Sequence, residues 1–271
     1  MSVSVDAFGL TDQGKVRPSN QDNFLIVEVS KTVKVQHSSL SPASMASRFP
    51  GVSGHLFVVA DGVGGGPEGD RASEDTIKAV LKYVGEAVGC FNSASTTKEH
   101  QLFERLEDTV RDVHESLLSD ASLNKQAPAT TLTMVLLIWP RAYHVHVGDS
   151  RAYVRRGDKL QQLTRDQTFS EYMLSLGAWT EEQAKISRPG ATLTSAVGGP
   201  QFEPVVGLID LEPGDSLLMC TDGLSKHVPD DRIAAVLAGD GTSESMARKL
   251  LDAALAAGGT DNISIIVAKT E

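Results

Sequence analysis

The stretch HLFVVADGVGGGPEGDRAS, residues 55–73, decides how the chain reads. Leu56 to Ala60 are apolar without alternation, the pattern of a strand covered on both faces. Asp61 arrives where that strand should stop. Gly62, Gly64, Gly65 and Gly66 follow, residues that let a backbone approach a ligand closely, and then a helix begins. An isolated Asp-Gly after a strand is a turn signal and no more. Here the design recurs. SLLMCTDGL (216–224) ends a strand on Asp222, AYHVHVGDSRAY (142–153) sets Asp149 at the tip between two strands, and GGTDNISIIVA (258–268) sets Asp261 just before one. Four carboxylates at four strand ends are the oxygen donors that hard divalent cations such as magnesium or manganese take, and no Cys and His spacing points to zinc.

Around this pattern the chain of 271 residues is 41% hydrophobic with mixed charge, enough to bury a sizeable core and unlike a disordered composition. Asp and Glu outnumber Lys and Arg by 35 to 25, which disfavours nucleic acid or an anionic membrane as partner. MSVSVDAFGL at the start has neither a basic segment nor an apolar run long enough for export, and no stretch approaches a membrane-spanning length, so a cytoplasmic location is expected. Cys90 and Cys220 are the two cysteines; they read as core residues and not as a disulfide framework.

Taken in order, Val3 to Thr11 and Phe24 to Val29 read as strands, joined by a polar turn that carries Arg17 and Asp22 toward the end where Asp61 lies. Residues 31–53 read as the end of a hairpin and an irregular surface insertion. Helices follow over Glu68 to Val88, striped by Ala72, Ile77, Val80, Leu81, Val84 and Val88, and over Lys98 to Leu118, striped by Leu102, Leu106, Val110, Val113 and Leu117. Thr130 to Trp139, Ala142 to Val147, Arg151 to Arg156 and Lys159 to Leu163 read as an antiparallel meander. His144 and His146 share one face of it, a partly polar strand face. Arg151 should orient the loop behind Asp149. Short helical pieces fill 166–199, with a capping box at Thr180 and Gln183. Strands at Val205 to Asp210, Ser216 to Cys220 and Asn262 to Ala268 close the chain, with helices at Asp230 to Leu237 and Ser243 to Ala257. Periodicity by itself gives a mixed α and β protein.

The motifs TDQGKVRPSNQD (11–22), VADGVGG (59–65), ATTL (129–132), VGDSRAY (147–153), LTRDQ (163–167), LTSAVGG (193–199), GDSLLMCTDGL (214–224) and GGTDNIS (258–264) occur in this order across nearly the whole chain. Together they resemble the metal-dependent serine/threonine protein phosphatases of type 2C, in particular the compact bacterial members. The resemblance implies an α+β fold in one catalytic domain, a four-layer α-β-β-α sandwich of two antiparallel sheets with helices outside each, the metals at one end and a flap over 166–199. It implies hydrolysis of phosphoserine and phosphothreonine in proteins by a hydroxide shared between two manganese or magnesium ions, reversing a serine/threonine kinase. It further implies that Asp61 bridges the ions, the Gly62 carbonyl ligates one, Asp222 and Asp261 hold the other, and Asp22 holds metal-bound water. Asp149 with Asp222 would carry a weaker third ion, and Arg17 would bind the substrate phosphate. A monomer is expected. Departures are Val63 and Gly66, where relatives often carry His or Met and His, so that a metal-bound water is left to protonate the leaving oxygen. Gln21 stands for a frequent Glu, Gln167 for a His, and Ala191 and Thr192 for a segment with Asn. Two other readings keep the same residues: a silent homologue that binds phosphoproteins, and a hydrolase of small phosphorylated metabolites.

Overall fold

A computed structural model describes residues 3–29, 33–38, 54–64, 67–88, 96–121 and 128–271. In chain order the elements are β1 (Val5–Asp12), β2 (Asp22–Val29), β3 (Val33–Ser38), β4 (Gly54–Val63), α1 (Pro67–Val88) and α2 (Thr96–Ala121). Then come β5 (Ala129–Thr130), β6 (Leu132–Ile138), β7 (Arg141–Val147), β8 (Arg151–Arg156), β9 (Lys159–Gln162), α3 (Phe169–Ser175) and α4 (Glu181–Ile186). The last are β10 (Val205–Asp210), β11 (Ser216–Cys220), α5 (Asp222–Ser225), α6 (Asp230–Leu237), α7 (Ser243–Ala256) and β12 (Ile263–Thr270). One sheet runs β1-β12-β11-β8-β9 and the other β10-β7-β6-β4-β2-β3, with β5 attached to β4. The pairings within them are antiparallel.

The two-sided burial of the strands follows from their sequences. In β4, Leu56, Val58 and Ala60 pack with Ile77, Val80 and Val84 of α1 and Leu106 and Val110 of α2. Phe57 and Val59, on the opposite face, meet Met219 and Ile266 of the other sheet. There Leu218, Cys220, Ile265 and Val267 turn outward onto Ile233 of α6 and Met246 and Leu250 of α7. Helices, sheet, sheet and helices make four layers, as the resemblance implies. A fully buried Val, Leu or Ile stabilises such a stack by about 1.5–3 kcal/mol, so both faces of these runs help to hold it together.

Three local features depart from the sequence reading. β4 continues past Asp61 to Val63, because Gly62 and Val63 pair with Thr130 and Ala129 of β5. β11 stops at Cys220, and Asp222 opens α5. The segment from 129 to 163 is not one meander. β6 and β7 belong to one sheet and β8 and β9 to the other, so Gly148 to Ser150 crosses between sheets and is no hairpin tip. A short polar turn looks the same in sequence whether the chain doubles back or steps across. Residues 13–21 make a second crossing, from β1 to β2, at the same end of the sandwich. Within 31–53, β3 pairs with β2, while residues 39–53 and Cys90 lie outside the described residues. Cys220 is buried in the core.

Candidate active site

Both Asp-Gly pairs sit where two backbones touch. A Cβ on Gly62 would lie 2.3 Å from the Gly69 carbonyl oxygen, so glycine here lets the first turn of α1 close on β4. A Cβ on Gly223 would lie 1.9 Å from the Asn262 carbonyl oxygen, and its lack lets α5 press on the 261–262 turn and bring Asp222 beside Asp261. The backbone of Asp61 is pinned by the ATTL motif. Its N–H donates to Thr131 Oγ1 (3.0 Å), and its carbonyl accepts from Thr130 Oγ1 (2.8 Å) and the Thr131 N–H (2.9 Å). Thr131 Oγ1 also meets Ser150 Oγ at 2.9 Å, tying Asp61 to the crossing that carries Asp149.

Asp22 lies directly across the β2–β4 ladder from Asp61. Its Oδ2 accepts from Thr221 Oγ1 at 2.7 Å, the residue before Asp222. Asn262 shapes the 13–21 crossing: its Nδ2 donates to the carbonyls of Gln13 (2.8 Å) and Ser19 (2.9 Å), and its Oδ1 accepts from the Gln21 N–H (2.9 Å). That loop holds Arg17, half-exposed, whose Nε and Nη2 donate to the two oxygens of Asp261 at 2.7 and 2.8 Å. Lys226, one helical turn beyond Asp222, pairs with Asp222 Oδ2 and stands 3.3 Å from Asp261 Oδ2. A cavity of about 490 Å³ is lined by Arg17, Asp61, Gly62, Val63, Asp149, Asp222, Lys226 and Asp261, with Ala191 and Thr192 at its side. Asp22 stands behind Asp61 and outside that lining, so the structure brings the remaining expected residues together around one space.

Electrostatics show what this cluster lacks. Burial, then the charges of Asp22, Asp222, Asp149 and Asp261, push the Asp61 carboxyl well above the ordinary carboxylate range. Burial and the charge of Asp222 do the same to Asp149. Burial also raises Asp222, against the pull of Lys226, and raises Asp22 to about 7 despite its bond from Thr221. For Asp261 burial works upward too, but the Arg17 hydrogen bond and Lys226 outweigh it and leave the group below its usual value. Such carboxylates stay ionised together only near added positive charge.

Among the described residues, no three His, Cys, Asp or Glu side chains close on one point as a finished ligand set; Asp222 and Asp261 are turned onto Lys226 and Arg17. Yet Asp22 Oδ1 and Asp222 Oδ1 are buried without a hydrogen-bond partner. Unpaired hard oxygens in an anionic pocket fit a magnesium- or manganese-like cation.

The surrounding residues have structural duties. Arg151, expected to orient the loop behind Asp149, instead forms a two-pronged pair with Asp166 (2.8 and 2.7 Å) at the base of the 166–199 segment. Gln167 fastens the same base to the crossing, its Oε1 accepting from the Gly148 N–H and its N–H donating to the Gly148 carbonyl, both at 2.7 Å. His146 Nε2 lies 3.0 Å from the Arg165 carbonyl and Nδ1 lies 2.8 Å from Thr133 Oγ1, which makes it a buried scaffold residue and no metal ligand. Sequence reasoning missed Lys226, Thr221 and Asn262. Each neighbours a recognised aspartate in sequence or by one turn, which is the signal that could have found them.

A family model described as Protein phosphatase 2C matches residues 48–257. Serine/threonine protein phosphatase PstP of Mycobacterium tuberculosis is 32% identical over 215 residues, which are 79% of this chain and 40% of that protein, so the chain spans well under half of its length. Serine/threonine phosphatase stp of Listeria innocua is 25% identical over 260 residues, 95% of this chain and 92% of that one. The crystal structure of the PstP catalytic domain in complex with 2 manganese ions superposes with a TM-score of 0.75 at 27% identity, covering 99% of each chain. With the match extending over most of its length and the four layers in place, the chain belongs to the protein phosphatase 2C family.

Proposed function

We propose that this chain hydrolyses phosphoserine and phosphothreonine in proteins with manganese or magnesium as cofactor. The observation that carries the reading is the buried carboxylate cluster around a cavity that Arg17 also lines, with an unpartnered oxygen on Asp222 in that lining and another on Asp22 outside it. Asp61, Asp222, Asp261 and the Gly62 carbonyl would hold two ions, with Asp22 behind them. Bound there, the ions supply an acidified water and neutralise charge on phosphorus. Arg17 offers two parallel donors that match phosphate oxygens, and it shares its present partner Asp261 with Lys226, so it can turn to a phosphate without leaving that carboxylate unpaired. Val63 lines the cavity and has no proton to give. The 166–199 segment, fastened through Arg151 and Gln167, is read as the flap that selects among phosphoproteins. Its substrates would be proteins modified by a serine/threonine kinase.

The manganese-bound PstP domain supports the choice of metal, and the phosphatases named above support the substrate class. Phosphate release from a phosphothreonine peptide, with manganese, with magnesium and with chelator, tests the reading against small metabolite phosphates. Metal-dependent turnover of the peptide is expected. Full activity in chelator, or turnover confined to metabolites, would overturn it.

A further inference from the structure

We infer that His227 is a positioning residue: it holds the turn that carries Asp261 against α5, and so sets the spacing of Asp222 and Asp261, the two carboxylates that would share an ion. The inference rests on the metal reading above and adds the brace behind that pair. The ring stands between the chain neighbours of both aspartates. Its Nδ1 lies 2.9 Å from the carbonyl oxygen of Gly223, the residue after Asp222. Its Nε2 lies 3.0 Å from Oγ1 and 3.3 Å from the backbone nitrogen of Thr260, the residue before Asp261. A carbonyl oxygen only accepts and a backbone N–H only donates, so Nδ1 carries the hydrogen, Nε2 is the acceptor and the ring is neutral.

The other supports of the turn do different work. Gly258 and Gly259, with φ of +131° and +53°, give it a shape that residues with a Cβ rarely take, but they fix no distance to α5. The Lys15 N–H donates to the Gly259 carbonyl at 2.7 Å and Asn262 Nδ2 to the carbonyls of Gln13 and Ser19, which anchors the turn to the 13–21 crossing. Thr221 ties the start of α5 to Ser264, on the strand side of Asp261. Lys226 reaches both aspartates, but through the carboxylate oxygens that an ion would take. His227 closes the remaining side, ahead of Asp261, and its bonds involve no carboxylate. The brace is therefore kept when Asp222 and Asp261 turn from their cationic partners to an ion.

Metal binding by the whole chain tests this apart from turnover. Chelator-stripped protein is titrated with manganese, and free manganese is read from its electron paramagnetic resonance signal. Wild type should bind two ions. His227→Ala should bind one of them about tenfold more weakly, the low end of the effect seen for partners behind metal ligands. His227→Asn, whose amide reaches Gly223 but falls short of Thr260, should match His227→Ala. His227→Gln, long enough to offer an oxygen to Thr260, should recover most of the loss. Lower melting temperatures in these variants with unchanged manganese affinity would show a structural role alone and overturn the inference. Nitrogen NMR of the labelled wild-type chain, metal-free and with magnesium, should show His227 as the Nδ1–H tautomer; the Nε2–H form would overturn the inference even if a variant failed to fold. A wild-type chain that binds no manganese would overturn the metal reading along with it.

Discussion

Replacing Thr221 by Val removes one hydroxyl that serves two buried partners. Thr221 is fully buried, its Oγ1 donates to Asp22 Oδ2 at 2.7 Å, and it accepts from the Ser264 N–H at 2.9 Å. The hydroxyl does not cap α5, so these bonds are its work. A hydrogen bond to a charged group contributes about 1.5–3 kcal/mol, and an orphaned buried N–H costs about 1–3 kcal/mol. Burying a methyl in place of the hydroxyl returns about 1 kcal/mol. The expected loss is therefore about 2–4 kcal/mol, a large share of the stability of an ordinary domain. Thr221→Ser keeps both bonds and drops only a methyl, at about 1 kcal/mol. Urea unfolding of the three proteins in chelator, at a pH well above the value of about 7 to which Asp22 is raised so that its carboxylate is ionised, measures the difference. Manganese titrations should show weaker binding by the Val variant, because Asp22 faces Asp61 across the ladder. The reasoning fails if Val and Ser variants are equally stable, or if Val lies within about 0.5 kcal/mol of wild type, the scatter expected for a substitution without structural role.

Asp61→Asn and Asp222→Asn should each lower phosphopeptide turnover by more than about a hundredfold, beyond the loss typical for outer partners of metal ligands, with bound manganese measured in parallel. Near wild-type rates in either would refute the ligand assignment. Arg17→Ala should raise KM about tenfold and change kcat less, if the guanidinium binds phosphate alike in ground and transition states; steady-state kinetics showing a kcat loss at constant KM would place its action in the transition state. His146 is pushed down to about 4 from 6.5, chiefly by burial. Its folded value is the lower one, so the unfolded chain takes up the proton first, and the stability present above about pH 6.5 falls as pH drops toward 4 by about 3 kcal/mol. Denaturant unfolding across that range should show the slope in wild type and a flatter one in His146→Gln.

The site was legible where chemistry and local pattern coincide. An apolar run followed by Asp-Gly marks a buried strand with a carboxylate near its end, so Asp61 and Asp222 stood out, Asp149 and Asp261 stood out at the ends of further strands, and the resemblance supplied roles for Arg17 and Asp22. The layering was not legible from periodicity, because Phe57 and Val58 look alike in sequence although one faces the opposite sheet and the other a helix. The crossing at Gly148 to Ser150 was hidden for the same reason, since a turn's residues do not say which sheet receives the next strand. Lys226 escaped notice because α5 spans only four residues, too short for any helical period to place Lys226 over Asp222. Asn262 and Thr221 act through contacts 249 and 199 residues away, which no local window contains.

Those separations also set an order of events during synthesis. β1 pairs with β12, Arg17 meets Asp261 across 244 positions, and the hydroxyl beneath Asp22 arrives with β11. A ribosome delivers Asp22, Asp61 and Asp149 long before the segments that complete their surroundings. The seven-stranded sheet, made from residues up to β10, can form early, while β1 waits for the last strand of the chain. Contacts of this reach close slowly. The nascent chain thus carries an unfinished anionic pocket, completed only when β12 docks on β1 and Asp261 meets Arg17.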